Sequence, residues 1–430
     1  MNINLYPLPY PLWTLKLKTF PSLSGSIKTN VVIVGGGMTG LSAAQAFLNK
    51  GLSVAIVEKN YCGAGASGIN SGFITPDSEL SLTDLTAIYG QEAASQLWKF
   101  SLSGVDLIKN NIKNFSIDCD YQEQDTLVLA NTKKRFDIRI KEEFENRVKL
   151  GYDAVLYNDK NLSLTVNSGK YHGAVSYGGS FGIQPFDYCQ AMKDNLSNQG
   201  VLIFEDSPVI KVDSKGVYTQ FGSVFADYIV LALDRFIPNL SNLKTEVYHA
   251  QTFLLVSKVL DEEQIKSIFP NKRYMVWDTD LIYQYYRITG ENRLLLGGSS
   301  FLYNYSKNRS FDNKIVFNKL TKYFKNKFPQ TNIEYEYMWP GMIGLSKDIM
   351  PIGGPDKYNS NIYYAGTASG LPWSAALGMY IADHAINHRT ELDAYFSPYR
   401  KFFIGNTIQS FLGTKLSFAL SNFLREKRIF

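Results

Sequence analysis

The stretch "VVIVGGGMTGLSAAQAF", residues 31–47, decides the fold of this chain. Its first residues, Val31–Val34, are apolar and mostly β-branched, a composition that favours a short buried strand. Gly35, Gly37 and Gly40 then follow in the spacing G-x-G-x-x-G, and the residues after them have the composition of a helix. The stretch therefore predicts a strand, a tight glycine turn and a helix.

A second strand follows this helix and ends at an acidic residue. Residues 53–57 are mostly apolar, and Glu58 comes 18 residues after Gly40. This order of elements is the unit that binds dinucleotides, with the pyrophosphate at the glycines and helix N-terminus and the carboxylate on the ribose hydroxyls. The carboxylate disfavours a 2′-phosphate, so FAD or NAD is favoured over NADP. A tight turn without a ligand remains the alternative.

Composition excludes several classes of function. The net charge of +5 is spread over 430 residues, which does not indicate a nucleic-acid surface. Three cysteines without CxxC spacing predict free thiols, and four histidines without a metal-binding context predict no metal site. We find no secretory signal and no run of about 18 apolar residues, so we expect a cytoplasmic protein without a transmembrane segment.

The order of predicted elements indicates an α/β chain with two interleaved domains. A proline-rich arm occupies residues 1–28. The nucleotide domain is expected from residues 29–115, 181–240 and 340–390, and an antiparallel-sheet domain from residues 116–180 and 241–339. Helices are predicted at 77–115, 132–151, 312–328 and from Ser374. The charges of the helix at 132–151 are interpreted as a solvated face.

Several further stretches carry a resemblance to a known family. They are "KTNVVIVGGGMTGLSAAQAFLNKGLSVAIVEKNYCGAGASGINSG" (28–72), "FGIQPFDY" (181–188), "YYRITGENRLLLGG" (285–298), "GMIGLSKDIMPIGG" (341–354) and "NIYYAGTASGLPWSAALG" (361–378). Together they resemble the D-amino-acid oxidase-like family of FAD-dependent oxidoreductases, and most of all its gamma-glutamylputrescine oxidase-like, amine-oxidising branch. The resemblance implies a Rossmann-like FAD-binding domain of the glutathione-reductase type and a second, antiparallel-sheet substrate domain, both discontinuous in sequence.

The resemblance also implies how FAD is held without a covalent bond. The glycine turn and Glu58 hold the pyrophosphate and the adenosine ribose, "GASGINSG" runs beneath the pyrophosphate and flavin, and Val209 holds the adenine through its main chain. The helix that starts in "SGLPWS" directs its N-terminus to the flavin, where reduction places negative charge. The implied residues are Gly35, Gly37, Met38, Thr39, Gly40, Glu58, Lys59, Ala66, Ser67, Asn70, Ser71, Gly72, Val209, Gly341, Gly344, Gly370, Leu371, Pro372, Trp373 and Ser374.

One segment departs from the family pattern, which has S-G-x-G where this chain has Ser369, Gly370, Leu371 and Pro372. Pro372 removes an N–H donor, although proline is tolerated in a first helical turn. Trp373 is bulkier than the pattern leads us to expect. The departure concerns the flavin contact and the substrate class more than FAD binding itself.

Candidate catalytic residues lie on the predicted strand 282–288. Because alternate residues of a strand share a face, Tyr283, Tyr285 and Arg287 point one way, and Ile282, Gln284 and Tyr286 the other. One of these faces is expected to look at the flavin, and the guanidinium of the first set is a candidate to clamp a carboxylate. The alternative is that Arg287 pairs with an acid and the tyrosines pack the sheet.

The tail, residues 391–430, contains an amphipathic pattern with added positive charge. Docking on the protein itself or on a second subunit is one interpretation. Contact of residues 400–430 with an anionic membrane surface, which would make the protein membrane-peripheral, is the other.

The resemblance implies oxidation of a C–N bond of an amine or amino acid by hydride transfer to flavin N5, with reoxidation by oxygen or another acceptor. Two alternatives stay open. One is a flavin-binding protein without turnover that acts as a structural or partner-binding module, and the other is a membrane-surface dehydrogenase that passes electrons to quinone. The oligomeric state stays open.

Overall fold

The computed structural model describes most of the chain, and within that part no helix is long and apolar enough to cross a membrane. Much of the predicted N-terminal arm, Ile282 of the predicted strand and most of the predicted tail lie outside the described residues. The described residues are 4–5, 17–243, 245–280, 283–303, 313–388, 391–402, 408–409, 411–413, 416 and 420.

The strands are numbered in chain order. They are β1 (Asn4–Leu5), β2 (Gly25–Val34), β3 (Val54–Val57), β4 (Phe73–Ile74), β5 (Gln122–Glu123), β6 (Asp125–Leu129), β7 (Val155–Asn158), β8 (Gly173–Tyr177), β9 (Phe181–Gly182), β10 (Leu202–Phe204), β11 (Lys211–Asp213), β12 (Gly216–Tyr218), β13 (Gly222–Leu231), β14 (Val247–Val259), β15 (Tyr274–Asp278), β16 (Tyr285–Ile288), β17 (Arg293–Tyr303), β18 (Tyr335–Ser346), β19 (Ile352–Pro355) and β20 (Ile362–Gly366).

The α-helices are numbered in the same way, and a π-helical turn, Phe136–Ile140, joins the fifth to the sixth. They are α1 (Met38–Asn49), α2 (Ala66–Ile69), α3 (Leu82–Tyr89), α4 (Gln91–Asn114), α5 (Lys133–Arg135), α6 (Lys141–Lys149), α7 (Pro185–Asn198), α8 (Glu262–Lys266), α9 (Asn313–Lys327), α10 (Leu371–Asn387) and α11 (Asp393–Phe396).

The nucleotide sheet has the strand order β10-β3-β2-β13-β12-β11, with β20 beside β13 and β19 beside β20. The pairs β10–β3, β3–β2, β2–β13 and β13–β20 are parallel. Val31–Val34 and Val54–Val57 are buried along their whole length, because α1 and α10 cover one face and a second apolar cluster covers the other. Continuous apolar runs are typical of strands buried on both faces.

The second large sheet, here called the substrate sheet, has nine strands in the order β1-β18-β14-β17-β16-β15-β6-β8-β7. Its central pairs are antiparallel, whereas β1–β18 and β15–β6 are parallel. Residues from α8 and α9 pack on one face, where they form an apolar cluster with Leu127, Phe253 and Tyr286. Its other face looks toward the nucleotide sheet and forms one wall of the site described below.

The two halves of the molecule meet at the short helix α2. The indole nitrogen of Trp339, in β18, donates a hydrogen bond of 2.9 Å to the carbonyl of Ile69. Ile69 itself packs with Leu254, Leu295 and Trp339. This contact fixes the segment after α2 against the substrate sheet.

A buried ion pair holds the start of the described chain. Lys193 Nζ lies 3.2 Å from Glu205 Oε1, and both side chains are almost completely buried. Lys193 also donates to the carbonyl of Lys18, and the N–H of Phe20 donates to Glu205 Oε2 at 2.8 Å. A buried pair needs such additional hydrogen bonds to offset its desolvation.

The structure differs from the predicted limits at several elements. β2 begins at Gly25, inside the predicted arm, and β18 extends the substrate sheet to Ser346, beyond the predicted limit at 339. The predicted helix at 77–115 is two helices separated at Gly90, whose φ is 83°. The helix predicted from Ser374 already begins at Leu371.

The described residues of the tail include one docked side chain and several exposed apolar ones. Gln409 is buried, and its side chain contacts the hydroxyl of Tyr248 at 3.1 Å and the carbonyl of Thr245 at 3.2 Å. Phe411 and Leu416 are exposed. The contact at Gln409 supports docking on the protein at that point, and the membrane contact stays a prediction.

Candidate active site

A cavity of about 890 Å³ extends from the glycine turn to the substrate sheet. Its nucleotide side is formed by the ends of β2 and β3, the segment around α2 and the start of α10. Its substrate side is formed by β14, β15 and β16, the residues after β4, and side chains from α5 and α6. The volume lies within the range of about 300–1,000 Å³ that is usual for ligand sites.

The glycine turn has the conformation that its spacing predicts. Gly35 has a φ of 110°, and a Cβ there would lie 2.3 Å from the carbonyl oxygen of Ala232. A Cβ at Gly37 would lie 2.9 Å from Ser67 Oγ, and one at Gly40 would lie 1.9 Å from the carbonyl oxygen of Gly35. Gly35 and Gly37 line the cavity, whereas Gly40 permits the close packing of α1 on β2.

Glu58 lines the cavity at the end of β3. Its carboxylate accepts hydrogen bonds from the N–H of Gly36 at 2.7 Å and of Asn60 at 2.9 Å. Burial raises the pKa of Glu58, and these N–H groups oppose the rise. The carboxylate is therefore fixed beside the glycine turn, as the sequence predicts. Lys59 and Val209 line the same part of the cavity.

The segment 66–72 is folded by the side chain of Asn70. Its Nδ2 donates to the carbonyls of Ala66 and Ser67, and its Oδ1 accepts from the N–H of Gly72. Ser67 Oγ in turn accepts from the N–H of Met38, which ties this segment to α1. Within the predicted set of this segment, the residues that line the cavity are Ala66, Ser67, Asn70 and Ser71, and Thr39 and Met38 line it from α1.

The predicted C-terminal flavin segment is placed only partly at the cavity. Gly341 lines it, but Gly344 does not. The N–H of Gly344 donates to Asp234 Oδ2 at 3.0 Å, and a Cβ there would lie 2.7 Å from the backbone nitrogen of Arg235. Gly344 therefore holds Asp234, which forms part of the cavity wall, and lies outside the cavity itself. This position corrects the predicted direct contact of Gly344 with the cofactor.

The unusual start of α10 places its bulk away from the cavity. Gly370, Leu371 and Ser374 line the cavity, whereas Pro372 and Trp373 do not. Pro372 lies in the first turn of α10, where a missing N–H costs least. Gly104 of α4 packs closely against the carbonyl oxygen of Pro372. A Cβ at position 104 would lie 1.9 Å from this oxygen. The predicted cofactor contacts of Pro372 and Trp373 are corrected accordingly.

The substrate side has an aromatic wall. Phe73 packs with Trp277 and with Tyr285, at ring-centroid distances of 5.9 and 5.8 Å, and Tyr283 packs with Tyr285 at 5.9 Å. The hydroxyl of Tyr283 donates to Glu79 Oε1 at 2.9 Å. All five residues line the cavity, so two of the predicted catalytic side chains, Tyr283 and Tyr285, are placed there.

Arg287 is not placed at the cavity, which corrects the third prediction. Its Nε donates to the carbonyl of Ser71 at 2.8 Å, and its Nη2 donates to the carbonyl of Ile183 at 2.6 Å. The side chain is 2% exposed and does not line the cavity. Although the strand directs it to the expected side, the segments at 71–72 and 182–183 lie between it and any substrate.

A buried ionic cluster at the substrate side was missed by the sequence. Arg147 Nε lies 2.8 Å from Glu143 Oε1, and its Nη2 lies 3.1 Å from Asp77 Oδ1. The guanidinium stacks on Tyr177 and Trp98, and the Tyr177 hydroxyl donates to Asp77. The interpretation of residues 132–151 as a solvated face is therefore wrong for Glu143 and Arg147.

Carboxylates dominate the charged lining of the substrate side. Arg135 and Arg139 also line it, and Arg139 pairs with Asp84 at 2.7 Å. Within the described part of the chain, no three acidic, histidine or cysteine side chains form a group that could hold a metal ion. The lining carboxylates are Asp77, Glu79, Asp84, Glu143, Asp278 and Asp280.

Residues 30–384 match the family model described as DAO, FAD dependent oxidoreductase. The chain belongs to this family. A probable oxidoreductase OrdL from Haemophilus influenzae is 27% identical over 95% of both chains, and the gamma-glutamylputrescine oxidoreductase of Escherichia coli is 29% identical over 92% of both. The crystal structure of glycine oxidase from Geobacillus kaustophilus covers 88% of this chain and 100% of its own, with a TM-score of 0.74 and 20% identity.

Membership of the DAO family confirms the predicted α/β fold with its FAD-binding domain and second sheet, and confirms FAD as the cofactor. The cavity has the features that a DAO-family protein needs to hold FAD. Glycines at the end of β2 leave room that a Cβ would fill, and Glu58 stands beside them at the end of β3. The chain is thus an FAD-dependent oxidoreductase of the amine and amino-acid oxidase type.

Proposed function

We propose that this enzyme oxidises the C–N bond of an amine that carries a second positive charge, such as a diamine. One observation carries the proposal: the cavity continues without a break from the nucleotide side at Gly35 to the aromatic and carboxylate-lined wall at Tyr285 and Asp77. When bound, FAD supplies the acceptor, flavin N5, for a hydride from the carbon beside the amine nitrogen. The electrons are then passed to oxygen or another acceptor.

The lining of the substrate side supports a cationic substrate. Ammonium groups bind to carboxylates and to the faces of aromatic rings, and both are present here in Glu79, Trp277 and Tyr283. Burial raises the pKa of Asp77 even though Arg147 opposes the rise, so a further cation near this carboxyl would be stabilised by it. The aromatic wall orients the carbon chain and excludes water.

A free amino acid requires a cation for its carboxylate. The guanidinium of Arg139 is paired with Asp84, that of Arg147 with Asp77 and Glu143, and that of Arg287 with two backbone carbonyls. These three guanidinium groups are therefore engaged, and although Arg135 and Arg235 also line the cavity, the excess of carboxylates in the lining favours an amine over a zwitterionic amino acid. The E. coli relative is named for an amine derivative, gamma-glutamylputrescine, which supports an amine as the group that is oxidised.

The alternative of a flavin-binding protein without turnover rested on the departure at Pro372 and Trp373. Because Trp373 lies outside the cavity and Pro372 lies in the first turn of α10, the departure leaves the lining of the site open. Electron transfer to quinone at a membrane surface rests on the tail, where Gln409 instead contacts Tyr248. Oxidation of a soluble amine is therefore the favoured proposal.

The test is anaerobic mixing of the purified holoenzyme with a panel of compounds while the flavin absorbance is followed. The panel contains alkyl monoamines, diamines of increasing length, the same diamines acylated at one end, and free amino acids. We expect diamines to remove the flavin absorbance fastest and amino acids slowest. Reduction by amino acids alone would contradict the proposed substrate class. Bound FAD with no reduction by any compound would favour the protein without turnover.

A further inference from the structure

Arg287 is a buried cation that lies outside the lining of the cavity. We infer that Arg287 is a positioning residue for the cofactor, whose buried positive charge stabilises the negative charge that the flavin gains on reduction. The inference rests on the use of FAD by this family and not on the identity of the substrate.

The first step is the place of the guanidinium. Ser71 lines the cavity, and its carbonyl oxygen accepts from Arg287 Nε at 2.8 Å. A Cβ at Gly72 would lie 3.0 Å from Nη2, and one at Gly182 would lie 2.7 Å from Nη1. The guanidinium therefore lies one peptide layer behind the cavity wall, and two glycines leave the room for it.

The second step is the lack of a counter-charge. Among the described residues, the guanidinium of Arg287 donates to two backbone carbonyls, and its Nη1 has no hydrogen-bond partner. Burial lowers the pKa of Arg287 to about 10, and the carboxylate of Asp120 opposes the fall, so the group stays cationic at neutral pH. A buried charge without a paired counter-ion keeps a desolvation cost that its two hydrogen bonds offset only in part.

The third step is the effect of this charge on the cofactor. In a buried site the field of a cation is weakly screened, so it acts across one peptide layer. Two-electron reduction increases the negative charge of the flavin, whereas the oxidised ring is neutral. Arg287 would therefore stabilise the reduced state more than the oxidised state, and a differential interaction of this kind shifts an equilibrium.

A purely mechanical role is the competing explanation, since Arg287 ties Ser71 to Ile183. Two substitutions distinguish the effect of the positive charge from the effect of the hydrogen bonds to the two carbonyls. Arg287→Gln removes the charge but keeps an amide donor for the carbonyls. Arg287→Lys keeps the charge with a different donor geometry. Arg293→Met is the matched control, because Arg293 also donates to a backbone carbonyl, that of Ser257, but does not line the cavity or contact residues 71–72.

The experiment measures the midpoint potential of the bound flavin with a chemical reductant and a reference dye, so no substrate is needed. We expect R287Q to shift the ratio of reduced to oxidised flavin at least about tenfold toward the oxidised form, which is about 30 mV for two electrons. R287K and R293M should stay close to the wild type. Sulfite, which adds to flavin and leaves negative charge on the ring, should bind R287Q more weakly in the same proportion.

The outcomes decide whether Arg287 acts through its positive charge or through its hydrogen bonds to the two carbonyls. The inference is overturned if R287Q binds FAD and its flavin has the midpoint potential of the wild type. It is also overturned if R287Q and R287K shift the midpoint potential equally. If R287Q does not retain FAD, R287K decides alone, since a tenfold shift in a variant that keeps the charge also overturns it. Failure of the amine panel would leave these measurements unaffected, so the two proposals fail independently.

Discussion

The indole nitrogen of Trp373 donates a hydrogen bond of 3.0 Å to the carbonyl oxygen of Pro76. Trp373 belongs to the first turn of α10, and Pro76 directly precedes Asp77 in the loop after β4. The bond therefore joins the flavin-side helix to the loop that carries a carboxylate of the substrate side. It also explains why a bulky residue stands where the family pattern has a smaller one.

We expect Trp373→Phe to lower the free energy of unfolding by about 0.5–1.5 kcal/mol, because the buried carbonyl of Pro76 loses one of its two donors and keeps the hydrogen bond from Ser101. The ring of the new phenylalanine still packs near Phe100, so the change in volume is modest. FAD content and the flavin spectrum should stay unchanged, since Trp373 does not line the cavity. Urea titration of the holoprotein and the absorbance ratio of flavin to protein measure the two effects. A loss of FAD larger than the loss of stability would contradict this assignment.

Glu58→Gln should weaken FAD binding. Hydrogen bonds to a charged group contribute about 1.5–3 kcal/mol, so the dissociation constant should rise roughly ten- to hundredfold. Asp206→Asn is the control, because Asp206 is an exposed carboxylate near the same strand end that does not line the cavity. Fluorescence titration of the apoproteins with FAD gives the constants. Equal affinities of E58Q and D206N would remove Glu58 from the cofactor site.

The titration of Asp77 should be visible in the pH dependence of stability. Burial raises its pKa above the ordinary value of 3.8. A carboxyl whose pKa is higher in the folded state contributes stability at low pH, and this contribution is lost as the pH rises from the ordinary value through the folded one. Relative to the wild type, D77N should therefore become more stable as the pH rises across that window, by at most about 1.4 kcal/mol per pH unit.

Asp213→Asn serves as the opposite control. Slight burial acts to raise the pKa of Asp213, but the hydrogen bonds from the N–H of Lys215 and from Lys211, with the charge of Lys211, outweigh it and lower the pKa. The contribution of Asp213 to stability is therefore present above the ordinary pKa and is lost as the pH falls. Relative to the wild type, D213N should become less stable as the pH rises through that range. Urea titrations of the three holoproteins at several pH values give the slopes. Parallel slopes for D77N and the wild type would contradict the raised pKa.

The charge of Glu79 should select for the second cation of the substrate. Glu79→Gln keeps an acceptor for the hydroxyl of Tyr283 but removes the charge, whereas Tyr283→Phe removes the hydrogen bond and keeps the charge. We expect E79Q to raise KM for diamines about two- to fivefold, the effect of a partly exposed ion pair. Monoamines should change little. A similar rise for both substrates, or a larger diamine effect in Y283F than in E79Q, would argue against selection by charge.

Removal of residues 403–430 should lower stability without changing attachment to lipid. Gln409 contacts the hydroxyl of Tyr248 and the carbonyl of Thr245, and these groups lose a partner in the truncated protein. Flotation with vesicles rich in anionic lipid compares the full and shortened proteins. Vesicle binding by the full protein alone would instead support the membrane interpretation of the tail.

Local patterns predicted the nucleotide side because its geometry is local. The strand, the glycine turn and Glu58 lie within 28 residues of one another, and a turn that needs Gly35 at a φ of 110° leaves few alternatives. The opposite facing of Tyr285 and Tyr286 on β16 followed from alternation in the same way. Where neighbours in sequence are also neighbours in space, periodicity and turn chemistry suffice.

The substrate side depends on contacts between distant residues, and there the sequence was insufficient. Alternation gave the face of Arg287, but not the segments at Ser71 and Ile183 that cover it from more than 100 residues away. Glu143 and Arg147 were interpreted as surface charges. Asp77, which pairs with Arg147, lies 70 residues away in the sequence. Burial of a charge depends on such partners, which no local pattern contains.

The ion pair of Lys193 and Glu205 has a consequence for how the chain tolerates cleavage. Lys193 donates a hydrogen bond to the carbonyl of Lys18, and Glu205 accepts hydrogen bonds from the N–H groups of Phe20 and Cys62. A protease cut before Lys18 leaves this clamp intact, whereas a cut between Phe20 and Gly25 opens two buried charges to water. A protein shortened to begin at Lys18 should therefore keep its yellow colour, although it lacks β1.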